Sequence, residues 1–116
     1  MKIGITTSVM QRGRSGVGRY VLALVRALLA SPVARRHEFT LFVLREDLPQ
    51  FEFARDAMRL VAVPEFFRPA VRDIAWHQFA LPGLARRLRL DVLHAPSYRR
   101  MLWTGPCPLV ATIHDL

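Results

Sequence analysis

Gly13-Arg14-Ser15-Gly16-Val17-Gly18-Arg19 lies between an apolar start, Met1-Lys2-Ile3-Gly4-Ile5-Thr6-Thr7, and an amphipathic run over residues 20–30. The pattern is a strand, a glycine-rich loop and a helix, the opening of an α/β sheet. Glycines at 13, 16 and 18 let the backbone reach positive φ and, having no Cβ, let a ligand lie against the main chain. The helix that follows begins with N–H groups lacking intrahelical partners and with the positive end of its dipole, worth about 0.3–1 kcal/mol to an anion at an exposed terminus. Phosphate is the guest this chemistry favours. The stretch also reads as an ordinary strand-to-helix connection, and the loop alone does not choose between the two.

Near matches to known loops narrow the choice. Gly13 and Gly18 have P-loop spacing, but Arg19-Tyr20 stands where Lys and then Ser or Thr would hold phosphate and Mg²⁺. Gly16-Val17-Gly18 opens like the dinucleotide fingerprint, yet Val21 occupies the third glycine position and residues 8–15 separate strand from turn. A nucleophile elbow fails at Val17, which stands at the last glycine of that motif.

The 116 residues, 52% hydrophobic and 22% charged, suffice for one α/β domain and exclude a disordered chain. Arginines break the longest apolar stretches well short of a bilayer span, and Ile3-Gly4-Ile5 is too short for the apolar core of a signal peptide. Cys107 is the single cysteine, so a reducing cytoplasm is the expected location. Seventeen basic against nine acidic residues give +8, and all the basic residues but Lys2 are arginine. They are scattered in groups, at 12, 14 and 19, at 35 and 36, at 86, 87 and 89, and at 99 and 100. A nucleic-acid binder would gather them on one face among stacking aromatics, so nucleic acid is not the expected partner. An anionic membrane surface or a phosphorylated substrate suits the same charge.

Residues 2–7 read as a first, central strand. In the helix over 20–30, Val21, Leu24, Val25, Leu28 and Leu29 form the core stripe, ended by Ser31-Pro32. Phe39-Thr40-Leu41-Phe42-Val43-Leu44 is apolar nearly throughout, as in a strand covered on both faces. Residues 45–57 suggest a short helix or loop before a third strand, Met58-Arg59-Leu60-Val61-Ala62-Val63. Val71, Ile74, Ala75 and Phe79 then form a helical stripe, interrupted by Pro82 and continued by Leu84, Ala85 and Leu88: two short helices or one kinked helix. Within it Asp73 and His77 read as an exposed i,i+4 pair and Trp76 as a packing residue.

Asp91-Val92-Leu93-His94-Ala95-Pro96 and Pro108-Leu109-Val110-Ala111-Thr112-Ile113 are the fourth and fifth strands. Alternating strands and helices imply a parallel, Rossmann-like sheet with helices on both faces. Ligands of such sheets collect at the carboxyl ends of the strands, where the glycine stretch, His94 and His114-Asp115 all fall. Each histidine reads equally as a hydrogen-bonded structural residue and as a functional one. A metal site is not expected, because no Asp-x-Asp pair is present to hold a nucleotide-bound cation.

Four segments in this order, Lys2-Ile3-Gly4-Ile5, Gly16-Val17-Gly18-Arg19-Tyr20-Val21, Asp91-Val92-Leu93-His94-Ala95-Pro96 and Val110-Ala111-Thr112-Ile113-His114-Asp115-Leu116, resemble the N-terminal domain of family 4 retaining glycosyltransferases of the GT-B fold. The helical segment over residues 76–90 joins them as in that family. The resemblance implies sugar transfer from a nucleotide-sugar donor to an acceptor such as a polysaccharide or lipid-linked precursor, with retained anomeric configuration and no metal or other cofactor. It places Gly16 and Val17, with Gly18 behind them, against the donor diphosphate. It places His114 beside the transferred sugar, and gives Asp115 the task of bracing the loop. It makes residues 97–103, including Tyr98, Arg99 and Arg100, together with Phe66-Phe67-Arg68, candidate contacts to acceptor or membrane surface.

The family pattern continues beyond Leu116 into a C-terminal domain that carries most nucleotide contacts. The chain is therefore expected to be a fragment, inactive alone, whose donor-binding domain is absent. Two readings from other classes stand beside this one. A basic stand-alone module for nucleic acid or anionic lipid would bind with steep salt dependence and indifference to Gly16. A dinucleotide-binding oxidoreductase domain is opposed by the missing third glycine.

Overall fold

The computed structural model describes residues 1–7, 16–32, 34–96 and 105–112. Among them, β1 (Lys2–Thr6), β2 (Glu38–Leu44), β3 (Arg59–Val63), β4 (Val92–Ala95) and β5 (Leu109–Ala111) form one sheet in the order β3-β2-β1-β4-β5. Every neighbouring pair is parallel, with Ile5 of β1 between Leu41 of β2 and His94 of β4. The α/β, doubly wound architecture expected from the alternation of strands and helices is the one observed.

Side-chain alternation along β2 divides the core in two. Phe39, Leu41 and Val43 point to one face, where Val21 and Val25 of α1 (Gly16–Ala30) and Phe51 of a 3₁₀ segment (Arg45–Ala54) cover them. Phe42 and Leu44 point to the other, against Trp76, Leu81 and Ala85. A strand covered on both sides has no polar face to keep, which is why residues 39–44 are apolar apart from Thr40. Gly4 makes room for side chains on the second face: a Cβ there would stand 2.6 Å from Leu90 Cδ1 and 3.1 Å from both Leu93 Cδ1 and Phe42 Cε2, so those side chains would have to shift.

Of the two forms expected for the segment after β3, the single helix is the one observed: α2 (Ala70–Ala75), a π turn (Trp76–Ala80) and α3 (Leu81–Arg87) follow one another without a break. The Leu81 N–H reaches back five residues to the Trp76 carbonyl, and the π turn ends just before Pro82, which has no N–H to give. A π turn takes in one residue more than an α turn, roughly 100° of rotation at 3.6 residues per turn. That rotation brings Asp73, Trp76, His77, Leu81 and Ala85 onto the buried side. Val71 and Phe79, expected in the core, are instead each 80% exposed.

The same rotation corrects the reading of Asp73 and His77. They are buried, at 1% and 3% exposure, with His77 Nδ1 donating to the Asp73 carbonyl at 2.8 Å and 3.1 Å from its Oδ1. The run closes with Arg89 at φ 55° and the Leu90 N–H on the Ala85 carbonyl at 3.0 Å. This is a Schellman-type end with arginine where glycine is usual.

Candidate functional site

β1 is the strand from which the sheet order departs in both directions, so the crevice between the carboxyl ends of β1 and β4 is the topological switch point. Thr7, just past β1, is buried and gives both its N–H and its Oγ1 to the Phe42 carbonyl, at 3.1 and 2.9 Å. The chain is thereby tied to β2 as it leaves the sheet. Neither composition nor periodicity singles out this threonine.

Helix α1 begins at Gly16, four residues before the amphipathic run over residues 20–30. Gly16, Val17 and Gly18 therefore belong to its first turn and not to a loop. Val17 stands four residues before Val21 and so continues the apolar spacing, but the glycines on either side of it read as loop. At the amino end of a helix the main-chain N–H groups point along the axis, away from the helix. The first turn of α1 holds no acidic side chain to answer the dipole, and Arg19 is exposed there. Gly16 is exposed, its φ lies outside the left-handed region, and a Cβ built on it meets no atom of the described residues within 4 Å. Neither backbone conformation nor those neighbours require glycine at 16. Gly18 is buried behind it.

His94 of β4 lies opposite Ile5 and Val110 in register, and its Nε2 is 2.9 Å from Thr112 Oγ1. It faces α1, beside an apolar groove of about 370 Å³ that Ile5, Leu24, Leu28, Val92 and Val110 help to line. Of its two readings, the hydrogen-bonded one describes its surroundings. Burial lowers its pKa from the ordinary 6.5. Folding thus favours the neutral ring, the unfolded chain takes up the proton first, and stability falls as pH drops below about 6.5. Thermal melts from pH 8 to pH 5 are expected to show this decline, and His94→Gln to remove this residue's part of it; an identical pH profile in the variant would contradict the assignment.

Of Phe66-Phe67-Arg68, only Phe66 is exposed. Phe67 packs against the Trp76 side of the core, and Arg68 is held by Glu65 at 2.7 Å and by buried Asp47 at 3.3 Å. Phe67 and Arg68 thus serve the fold. Burial, with help from the Asp91 carboxylate, pushes the Cys107 thiol up, which keeps it protonated and a poor nucleophile. Among the described residues no group of three or more His, Cys, Asp or Glu side chains is placed to hold a metal ion. Tyr98, Arg99, Arg100, His114 and Asp115 lie outside the described residues.

A parallel β3-β2-β1-β4-β5 sheet, covered on both faces and with a glycine-started helix at its switch point, defines a Rossmann-like α/β domain. Residues 14–116 match the model of Glycosyltransferase Family 4, and the chain belongs to that family. Neither the curated proteins nor the solved structures yield a match.

Proposed function

We propose that this domain is the N-terminal, acceptor-side part of a retaining glycosyltransferase of GT-B type, transferring a sugar from a nucleotide-sugar to a polysaccharide or lipid-linked acceptor. The observation that carries the reading is Gly16: an exposed glycine needed by neither backbone nor described neighbours, starting a helix at the switch point of a family 4 domain. In this reading the Gly16 and Val17 N–H groups donate to the donor diphosphate. Each such charge-assisted hydrogen bond contributes about 1.5–3 kcal/mol. His114 orients the hydroxyls of the transferred sugar and stabilises the positive charge that develops on it, and Asp115 braces the loop. Tyr98, Arg99 and Arg100 meet the acceptor. The helix terminus and neighbouring arginines supply the positive field, so the reaction needs no metal, and the enzyme works in the cytoplasm.

The test is transfer by the native polypeptide from a panel of nucleoside-diphosphate hexoses in the presence of EDTA, with the product anomer assigned by NMR. The expected result is a product with the donor's configuration, formed equally with and without the chelator. An inverted product would sink the retaining mechanism. Failure to bind any nucleoside diphosphate would remove the donor-site reading.

A further inference from the structure

Among the described residues, Arg89 is the one non-glycine residue at positive φ. The left-handed region costs a residue with a Cβ free energy that glycine is spared, and glycine is the usual occupant of a helix end of this form. The fold gains no side-chain hydrogen bond or ion pair from arginine there. Its side chain instead lines a cleft of about 420 Å³ at the amino ends of the strands, together with Met1, Lys2, Arg36, Glu38 and Asp91. Three hydrogen bonds fix the walls. The Glu38 N–H meets the Met1 carbonyl at 2.9 Å, the Asp91 N–H the Lys2 carbonyl at 2.7 Å, and the Lys2 N–H Asp91 Oδ2 at 2.7 Å. Lys2 and Arg36 also have no ion-pair partner among the described residues, although two carboxylates line the same cleft. Basic residues far apart in the chain meet here because β1 lies between β2 and β4.

We propose that this cleft is an anion site for a small molecule bearing a diphosphate or two neighbouring phosphates, with Arg36, Arg89 and Lys2 meeting the phosphate oxygens. The planar guanidinium fork matches phosphate geometry, and an ammonium adds a point charge. Three side-chain cations converge on the cleft, and of its two carboxylates Asp91 already accepts the Lys2 N–H. Glu38 limits the affinity without cancelling the charge. The volume falls within the roughly 300–1,000 Å³ of small-molecule sites. The cleft is distinct from the switch-point crevice, because β1, roughly 16 Å long, runs from one to the other. The inference is therefore independent of the transferase reading, which puts the donor diphosphate at Gly16.

The experiment is calorimetric titration of the native polypeptide with inorganic pyrophosphate at about 150 mM salt, which screens long-range attraction between exposed charges. Every sample carries Gly16→Val, so that the first turn of α1 does not contribute. One pyrophosphate should still bind, and the amide resonances of Lys2, Glu38 and Asp91 should move as it does. Adding Arg89→Gly should weaken binding about 10-fold or more, the loss of one charge-assisted contact. The same change should leave the urea midpoint unchanged or raise it, since glycine adopts positive φ freely. Adding Glu38→Gln should tighten binding about threefold by removing a like charge. Absence of pyrophosphate binding in the Gly16→Val polypeptide would overturn the proposal, as would an affinity that Arg89→Gly leaves unchanged. A lower urea midpoint in Arg89→Gly would assign the arginine to the fold and overturn it too.

Discussion

Gly16→Val is expected to weaken nucleotide-sugar binding by the native polypeptide about 100-fold or more while leaving the fold unchanged. The added isopropyl group would occupy the approach to the first-turn N–H groups. Losing two charge-assisted hydrogen bonds at about 1.5–3 kcal/mol each accounts for at least that factor. The fold has no comparable stake, because a Cβ at 16 meets no described atom within 4 Å and the residue is exposed. A stability change within about 0.5 kcal/mol is the expectation for such a site. Titration calorimetry with parent and variant, paired with urea melts, separates the two effects. Equal affinity in both would take the glycine turn out of the mechanism. Binding that survived the substitution but fell steeply with salt would point to the basic binding module instead.

Trp76→Ala is expected to cost about 3–5 kcal/mol, against roughly 5–15 kcal/mol for the whole stability of an ordinary domain. Trp76 is 4% exposed and meets Phe42 of the central sheet edge-on, ring centroids 5.8 Å apart, and His77 at 5.0 Å. It sits in the π turn, where the helical run is rotated so that Leu81 and Ala85 also reach the sheet. Truncation removes the contact that holds that rotation. Phe42→Ala should be comparably severe, and the double variant should cost less than the two single costs added, because the rings share one site. Urea unfolding midpoints measure all three. A Trp76→Ala cost below about 1 kcal/mol would show that the second core layer is held elsewhere.

Much of this was legible in advance. Residues 39–44 are apolar almost without interruption, which only a doubly covered strand requires, and β2 is that strand. Val21 and Val25 recur at helical spacing and are fully buried. Family membership rests on the match over residues 14–116, which includes Gly16-Val17-Gly18 and the segments over 91–96 and 110–116. The site was less legible. The start of α1 falls in the glycine stretch, where Gly16 and Gly18 read as loop although Val17 keeps the helical spacing to Val21. The tie from Thr7 to Phe42 joins positions 35 apart in sequence and leaves no local signal.

The segment over residues 70–87 marks the division most clearly. By itself the sequence determined that these residues are helical, that Trp76 packs, and that strands and helices alternate into a parallel sheet, because these follow from short-range spacing and side-chain type. Tertiary structure alone decided which side of the helix is inside. Spacing at 3.6 residues per turn sets the buried stripe only if every turn is α, and one π turn displaces it by roughly 100°. Hence Asp73 and His77 are enclosed while Val71 and Phe79 stand in solvent. Which hydrogen-bond register wins depends on how Trp76, Leu81 and Ala85 fit against Phe42 and Leu44, contacts between residues far apart in the chain.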